Sequence, residues 1–251
     1  MEIPQVSIKK LTEKIKDIVT SQGLSEAEII RISLYTFIDF SLLISAQAVW
    51  CNTKSNEELA MQKIFDDSIN QNIEISMSVL LEASQMYFNL VKQHPPFTDL
   101  ISMVYEELAI TDGQAKQFGQ YFTPIDLSRC IAQLAAIDTM ERARIDLPVS
   151  ICDPCSGSGS LVMAQLEIIH SQSPDLLQFI SIVINDIDEK ALRANCLQIM
   201  SNLGEHRLYL YSVTATISNT ITQYKNSGKL FMLYKGFAKL TDDKLKLETI
   251  L

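Results

Sequence analysis

The chain has 251 residues, of which 47% are hydrophobic and 20% are charged, a composition typical of a folded globular protein. This composition excludes a disordered chain. The formal net charge of −9 argues against a protein that holds nucleic acid by itself, because neutralisation of phosphates by a basic face supplies most of that affinity.

Residues 1–110 are predicted to form a helical domain. Apolar residues recur at helical spacing in segments 7–22, 23–37, 55–69, 72–93 and 97–110. Ser25 precedes Glu28 by three residues, which is the spacing of a capping box at a helix start. The prolines of "HPP" at 94–96 are expected to end one helix before the next begins.

The most apolar stretch, residues 29–50, contains Arg31 and Asp39. Charges inside a span-length segment favour a buried helix over a membrane span. The N-terminal sequence has no signal-peptide pattern, and the five cysteines lack the paired spacing of a disulfide framework. We therefore expect a cytoplasmic protein with reduced thiols and no membrane partner.

Residues 111–251 are predicted to form an α/β domain. Segments 147–152, 176–186, 207–217 and 229–234 have strand patterns, and helical patterns cover 160–172 and 188–204, the latter ending at Gly204. Residues 218–228 are predicted to be a linker or a short helix. Strands that alternate with helices indicate right-handed crossovers and a parallel sheet.

A glycine-rich turn, "DPCSGSG" at 153–159, follows the first of these strands. Gly157 and Gly159 can adopt positive φ and let a ligand approach the backbone. Asp153 can accept hydrogen bonds from a cationic amine, and Asp186 ends the next strand, where a carboxylate commonly binds the hydroxyls of a ribose. With Ile187 against an adenine face, these residues predict a pocket for a nucleoside that carries an amine.

The sequence argues against most other interpretations of this turn. A tight turn that binds nothing is the structural alternative. No Gly-Lys-Ser/Thr follows, as a P-loop requires, and Ser156 and Ser158 lack the flanking glycines of a nucleophile elbow. Cys152 and Cys155 have the spacing of half a zinc site, but no second pair exists, so no metal site is predicted.

The segment "GQYFTP" at 119–124, followed by "DPCSGSG", resembles the N6-adenine DNA methyltransferases, and most closely the modification (M) subunits of type I restriction-modification systems. The acidic strand end "INDIDEKALRANCLQI" is also similar to that family's next motif. The likeness covers residues 96–204. It implies a helical N-terminal domain followed by a partial Rossmann-like methyltransferase sheet that binds S-adenosylmethionine.

The resemblance also implies roles for individual residues. The methionine end of the cofactor would be lined by Gln120, Tyr121, Phe122, Thr123 and Pro124. Asp153, Pro154, Gly157 and Gly159 would form the turn beside its amine and carboxylate. Asp186 would hold the ribose.

The family's catalytic segment, Asn/Asp-Pro-Pro-Phe/Tyr after the fourth strand, is missing from the sequence. Lys235, Gly236 and Phe237 stand at that point of the chain. The sole Pro-Pro-aromatic is "HPPF" at 94–97, which precedes the cofactor motifs and is predicted to be a connector, with a circularly permuted enzyme as the alternative. No catalytic residue is therefore assigned.

The resemblance predicts an S-adenosylmethionine-binding, adenine methyltransferase-like protein in truncated form. We expect it to be incomplete for catalysis without a partner, to reach DNA through a partner subunit, and to form a homo- or hetero-oligomer, since a four-stranded sheet leaves an exposed edge. The alternative is a non-catalytic module that acts through protein contacts. A small-molecule or protein methyltransferase is a third, less favoured class.

Overall fold

The computed structural model describes residues 5–21, 23–50, 73–112, 123–143, 148–223 and 229–236. In this part of the chain the helices are α1 (Gln5–Lys16), α2 (Glu26–Trp50), α3 (Met77–Gln93), α4 (Leu100–Asp112), α5 (Ile125–Ala143), α6 (Ser160–Gln172) and α7 (Glu189–Glu205). The strands are β1 (Val19–Thr20), β2 (Glu74–Ile75), β3 (Val149–Asp153), β4 (Ile180–Asp186), β5 (Ser212–Ile217) and β6 (Lys229–Lys235), and a 3-10 helix covers Pro174–Phe179.

Local sequence signals predict the start of α2 and the end of α3, but the helices predicted over 7–22 and 72–93 are too long, because each of these segments also contains a short strand, β1 or β2. At the start of α2, the Ser25 N–H donates to the Glu28 carboxylate over 2.9 Å and the Glu28 N–H donates to the Ser25 hydroxyl over 3.4 Å, which confirms the capping box. α3 ends at Gln93, directly before the "HPP" segment, as expected. The helix predicted over 55–69 lies outside the described residues. The β1–β2 pair is a short antiparallel addition that periodicity did not predict.

By length and hydropathy α2 could cross a membrane, because an 18-residue window within Glu26–Val49 has a mean hydropathy of 1.6. In this structure 61% of that window is buried inside the protein. Leu34, Phe37 and Leu42 are fully buried, and Asp39 is ion-paired with Arg193 of α7. A helix with this degree of internal burial is typical of a protein core.

The larger sheet has the strand order β3-β4-β5-β6. β3, β4 and β5 are parallel, with Ile151 opposite Ile182 and Ile182 opposite Val213. β6 pairs with β5 in the antiparallel direction, so the prediction of an all-parallel sheet is wrong for this strand. The reason is geometric: β5 and β6 are joined by about a dozen residues that contain no described helix to reverse the chain's direction.

Helix α7 occupies the centre of the molecule. Every residue from Ala191 to Leu203 is buried, because α7 packs against β4 and β5 on one side and against α2, α3 and α4 on the other. One continuous hydrophobic core therefore includes both the N-terminal helices and the sheet. The domain boundary near residue 110 stays a prediction. The helix ends at Glu205, one residue beyond the predicted stop at Gly204.

Helix α5 lies beside the edge strand β3 and packs along α6. The sequence did not predict this helix as a separate element. Its buried face consists mainly of small residues such as Ala132 and Ala136, whereas large apolar residues are exposed. The exposed stripe comprises Leu127, Ile131, Leu134 and Ile137, at 43% to 74% of their accessible surface.

Candidate functional site

Asp153 and Asp186 lie at the same edge of the sheet. β3 and β4 are parallel neighbours, and Asp153 is opposite Ile184, two residues before the end of β4. The carboxyl ends of parallel strands form the edge where ligands bind in α/β folds. The structure thus brings the two predicted aspartates together, at the ends of two strands that are directly hydrogen-bonded to each other.

The glycine turn connects β3 to α6 at this edge. Gly157 has a φ of 52° and Gly159 a φ of 105°, which are left-handed conformations that favour glycine. Gly159 is also the N-cap of α6. A Cβ atom at Gly157 would meet nothing within 4 Å, so the space above the turn is open to a ligand.

The two carboxylates have different surroundings. Asp186 accepts hydrogen bonds from the Gly157 N–H at 2.7 Å and the Asp188 N–H at 2.8 Å, one on each oxygen. Asp153 accepts one from the Cys155 N–H at 3.2 Å, and its Oδ2 is buried with no hydrogen-bond partner among the described residues. Asp153 is therefore the carboxylate with an acceptor oxygen still to be satisfied.

The pKa of Asp153 is raised above its ordinary value, first by burial and further by the nearby negative charge of Asp186, while the Cys155 N–H lowers it. The ionised form is thus disfavoured in the free protein. A cation placed beside Asp153 would reverse this effect. The electrostatics of the turn suit a positively charged group such as a primary amine.

Asn185, next to Asp186, holds the turn in place. Its amide group donates to the carbonyl of Pro154 and to the carbonyl of Ser218, each at 3.0 Å. Its oxygen accepts from the hydroxyls of Thr216 at 3.0 Å and Ser218 at 2.7 Å. Sequence reasoning missed this residue; the only signal was an amide directly before Asp186, at the end of a largely apolar strand.

A second group of hydrogen bonds connects the turn to the helices. Gln198 of α7 donates to the Ser158 carbonyl at 3.0 Å and to Asp99 at 2.8 Å. The hydroxyl of Ser102, on α4, lies 3.0 Å from that of Ser160. The conformation of the turn is therefore fixed from the sheet side by Asn185 and from the helical side by Gln198.

The N-6 DNA Methylase family model matches residues 96–229, just over half of the chain. The chain belongs to the N-6 DNA methylase family. No curated protein and no solved structure matches it. Members of this family are S-adenosylmethionine-dependent methyltransferases, and the matched segment contains the glycine turn, both aspartates and the strands that carry them.

The family's aromatic-Thr-Pro segment is only partly described. Thr123 is half-buried and Pro124 exposed at the start of α5, where the Pro124 carbonyl accepts the Ser128 N–H at 2.9 Å. The predicted cofactor residues Gln120, Tyr121 and Phe122 lie outside the described residues. Ile187, predicted to contact an adenine, is 66% exposed directly after β4.

The "HPPF" segment is a connector between α3 and α4, as predicted. His94 is buried, and its N–H donates to the carbonyls of Leu90 and Val91. Phe97 is fully buried, and its N–H donates to Asn202 Oδ1 at 2.6 Å. A buried ring cannot stack on a base, so this segment does not replace the methylase family's catalytic tetrapeptide.

Lys235 and Gly236 do not stand at the family's catalytic position in space. Lys235 pairs with Ser212, the first residue of β5, because β6 is antiparallel. The end of β6 is therefore at the opposite edge of the sheet from Asp153 and Asp186. Phe237 lies outside the described residues.

The cysteines of "CDPC" are exposed free thiols on either side of Asp153. Within the described ranges, no group of three or more His, Cys, Asp or Glu side chains is arranged to hold a metal ion. The chemistry available at this edge is hydrogen bonding by backbone amides, carboxylates and hydroxyls. Such a set can bind and orient a nucleoside.

Proposed function

We propose that this methylase-family protein binds S-adenosylmethionine at the glycine turn. The buried Oδ2 of Asp153 carries the proposal, because it has no hydrogen-bond partner among the described residues and the cofactor's α-amine would supply both that hydrogen bond and the opposite charge. The open space above Gly157 lets the amino-acid end of the ligand approach the backbone.

The remaining parts of the nucleoside fit the same edge. Each oxygen of Asp186 already accepts one backbone N–H, and a carboxylate oxygen can accept a second hydrogen bond, so both can still receive the hydroxyls of a ribose. The exposed side chain of Ile187 next to it offers an apolar surface for the adenine. When bound, the cofactor would supply an activated methyl group.

The proposed activity is that of an incomplete N6-adenine DNA methyltransferase, similar to a type I modification subunit. The sequence has no Asn/Asp-Pro-Pro-Phe/Tyr segment, and the strand expected to lead to it ends at the far edge of the sheet. A second polypeptide would supply the groups that hold the adenine amine. The partner would also contact DNA, since this chain has a net charge of −9.

The exposed stripe on α5 supports a partner of this kind. Its four large apolar side chains are exposed on a helix that contacts β3, and β3 pairs only with β4 among the described residues. A free strand edge next to an apolar helix face can accept a strand and a helix from another chain. We place this complex in the cytoplasm, as part of a restriction-modification system.

Cofactor binding is tested by isothermal titration calorimetry with S-adenosylmethionine. We expect saturable binding by the full chain and, for Asp153→Asn, a loss of affinity of roughly tenfold to a hundredfold, which corresponds to a charged hydrogen bond of about 1.5–3 kcal/mol. Asp175→Asn is the matched control, because Asp175 is exposed on the 3-10 helix. Equal affinities for all three proteins would refute the assignment of Asp153.

Catalysis is tested with S-adenosylmethionine labelled on the methyl group and DNA containing adenine. The chain alone is expected to transfer no label, and addition of the products of neighbouring genes is expected to give labelled N6-methyladenine. The alternative, a non-catalytic binding module, is favoured by the position of the β6 end. It predicts cofactor binding without label transfer under either condition.

A further inference from the structure

A cavity of about 380 Å³ lies at the end of the sheet opposite the glycine turn. It is lined by the last turn of α7 and the residues that follow it, by the end of α2, and by the end of β6, where Tyr234 is opposite Val213 near the start of β5. Val49, Leu203 and Leu208 supply an apolar wall. This volume is within the range of sites for small molecules, and none of the methylase family motifs lines it.

The hydroxyl of Tyr234 is the first sign of a ligand. The side chain is 1% exposed, and its oxygen has no hydrogen-bond partner within the described ranges, although nearly all buried polar atoms in proteins have one. Burial raises the pKa of Tyr234 to about 12, with a further contribution from Tyr209. The phenol therefore stays protonated at neutral pH and can donate a hydrogen bond.

Arg207 is the second sign. The Arg207 N–H donates to the Gly204 carbonyl and the Leu208 N–H to the Leu203 carbonyl, which is the pairing of a Schellman motif at the end of α7. Arg207 occupies the position that this motif usually gives to glycine, with a φ of 54°. An arginine at a strained backbone position beside a cavity points to a role for its side chain.

The charge at the cavity is positive. Arg207 has no carboxylate within salt-bridge distance in the part of the chain that the structure describes, and the other polar groups of the lining are the phenols of Tyr209 and Tyr234. A guanidinium and two hydroxyl donors suit a carboxylate, and the apolar wall suits the body that carries it.

We propose that this cavity binds a small organic monoanion, whose carboxylate pairs with Arg207 and accepts a hydrogen bond from the hydroxyl of Tyr234, and whose apolar or aromatic body packs against the apolar wall. The single guanidinium matches a single negative charge. The site is separate from the glycine turn, at the other edge of the sheet, and its existence does not depend on the proposed methyltransferase function.

The test uses benzoate as the probe and benzamide, its neutral analogue of similar shape, as the control ligand. The full chain is labelled with ¹³C in its tyrosine rings, and both ligands are titrated by NMR. Benzoate is expected to shift the resonances of Tyr209 and Tyr234 saturably, with a Kd on the order of 1 mM, and benzamide to bind about tenfold more weakly or not at all.

Two variants separate binding from folding. Arg207→Gly removes the guanidinium and relieves the backbone strain, so the variant should be at least as stable as the parent yet lose at least about tenfold in benzoate affinity. Tyr234→Phe removes an unpaired hydroxyl and should likewise weaken binding without lowering the melting temperature.

Three results would overturn the proposal. The first is the absence of saturable shifts at Tyr209 and Tyr234. The second is equal affinity for benzoate and benzamide, which would exclude a role for the charge of Arg207. The third is unchanged benzoate affinity in Arg207→Gly. An Asp186→Ala protein that binds benzoate normally would confirm that the probe does not occupy the glycine turn.

Discussion

Three buried side chains around the glycine turn have polar atoms without a hydrogen-bond partner among the described residues. They are Asp153 at Oδ2, Ser156 at Oγ and Asn195 at both amide atoms. Each unpaired buried group costs about 1–3 kcal/mol of stability. Their concentration around one turn is typical of a site where stability is reduced in favour of binding.

The first prediction concerns Asp153→Asn in the absence of ligand. Burial raises the folded-state pKa of Asp153, so between the unfolded pKa and the folded pKa the native state binds more protons than the unfolded state. Stability is therefore lost as the pH rises through that window, and the loss persists at neutral pH. We expect the asparagine variant to melt at a higher temperature than the parent, with a larger gain at about pH 7 than at about pH 4.

This gain should accompany the loss of cofactor affinity argued above. A melting temperature that falls at neutral pH would contradict it, because the asparagine can still accept the Cys155 N–H. Asp175→Asn serves again as the control, and its melting temperature is expected to stay within a degree or two of the parent, as for other exposed substitutions.

The second prediction compares two glycines with the same backbone conformation. Gly23 and Gly159 both have a φ of 105°. A Cβ atom at Gly23 meets nothing within 4 Å, whereas one at Gly159 would lie 2.6 Å from Asn195 Cγ. Gly23→Ala should thus lower the free energy of unfolding only by the strain of a left-handed alanine, about 1–2 kcal/mol. Gly159→Ala should lower it by roughly 1–3 kcal/mol more, because the new methyl group overpacks against Asn195.

Urea denaturation measures both losses. The Gly159→Ala/Asn195→Ala double variant is expected to recover part of the additional loss, since the smaller side chain leaves room for the new methyl group. Equal destabilisation by the two single substitutions would show that the contact with Asn195 does not matter.

At the scale of elements, α7 joins the helices to the sheet through a buried ion pair. Arg193 donates to Asp39 of α2 at 2.8 Å and also contacts Glu189, and Lys190 lies 3.1 Å from Asp39. Burial by itself would lower the pKa of Arg193, but the charge and hydrogen bond of Asp39 raise it overall. Asp39 and Arg193 are therefore both charged and both buried, and each neutralises the charge of the other.

The third prediction follows from that enclosure. Asp39→Ala leaves Arg193 buried without its main partner and should lower the free energy of unfolding by about 3–5 kcal/mol. The Asp39→Leu/Arg193→Met double variant should recover most of this loss, because an apolar pair carries no desolvation penalty. Chemical denaturation gives both values.

A matched control is the exposed pair of Asp138 and Arg142 on α5, at 3.3 Å. Asp138→Ala should cost less than about 1 kcal/mol, since solvent screens exposed charges. If Asp39→Ala cost no more than this control, the buried pair would not hold α2 to α7.

The elements themselves were largely predictable from local patterns. The capping box fixed the start of α2 and the prolines fixed the end of α3, because both signals act within a few residues. The direction of β6 was not predictable, since a strand's side-chain pattern is the same whichever way it pairs. Helix α5 was missed because its large apolar residues, such as Leu134 and Ile137, are exposed and its buried face consists mainly of small residues. The spacing of its apolar residues therefore does not indicate a face that packs on the core.

The candidate site was predictable to a similar extent. Asp153, Asp186 and the two glycines follow strand ends, and strand order alone brings them together. Asn185 and Gln198 act through contacts between residues about thirty or more positions apart, and nothing local distinguishes them from other polar residues. Supporting residues of this kind emerge only from the folded arrangement.

At the scale of the whole molecule, helices and sheet share one core. Its hydrophobic cluster extends from Ile8 in α1 to Tyr234 in β6. Hydrogen bonds also join the helices in this region. The hydroxyl of Tyr87 lies 3.1 Å from the hydroxyl of Ser201, and the Ile101 N–H donates to Gln198 Oε1 over 3.2 Å. The N-terminal helices are therefore packed as one unit with the sheet that carries the glycine turn.

The last prediction is that this molecule unfolds in one cooperative transition. Calorimetry should give a van't Hoff enthalpy equal to the calorimetric enthalpy, and circular dichroism should report the same midpoint. Saturation with S-adenosylmethionine at about a hundred times Kd should stabilise the entire transition by about 2.7 kcal/mol, because Gln198 and Ser102 connect the turn to the helices. Two separate transitions, of which the ligand shifts only one, would instead show that the helices and the sheet are independent units.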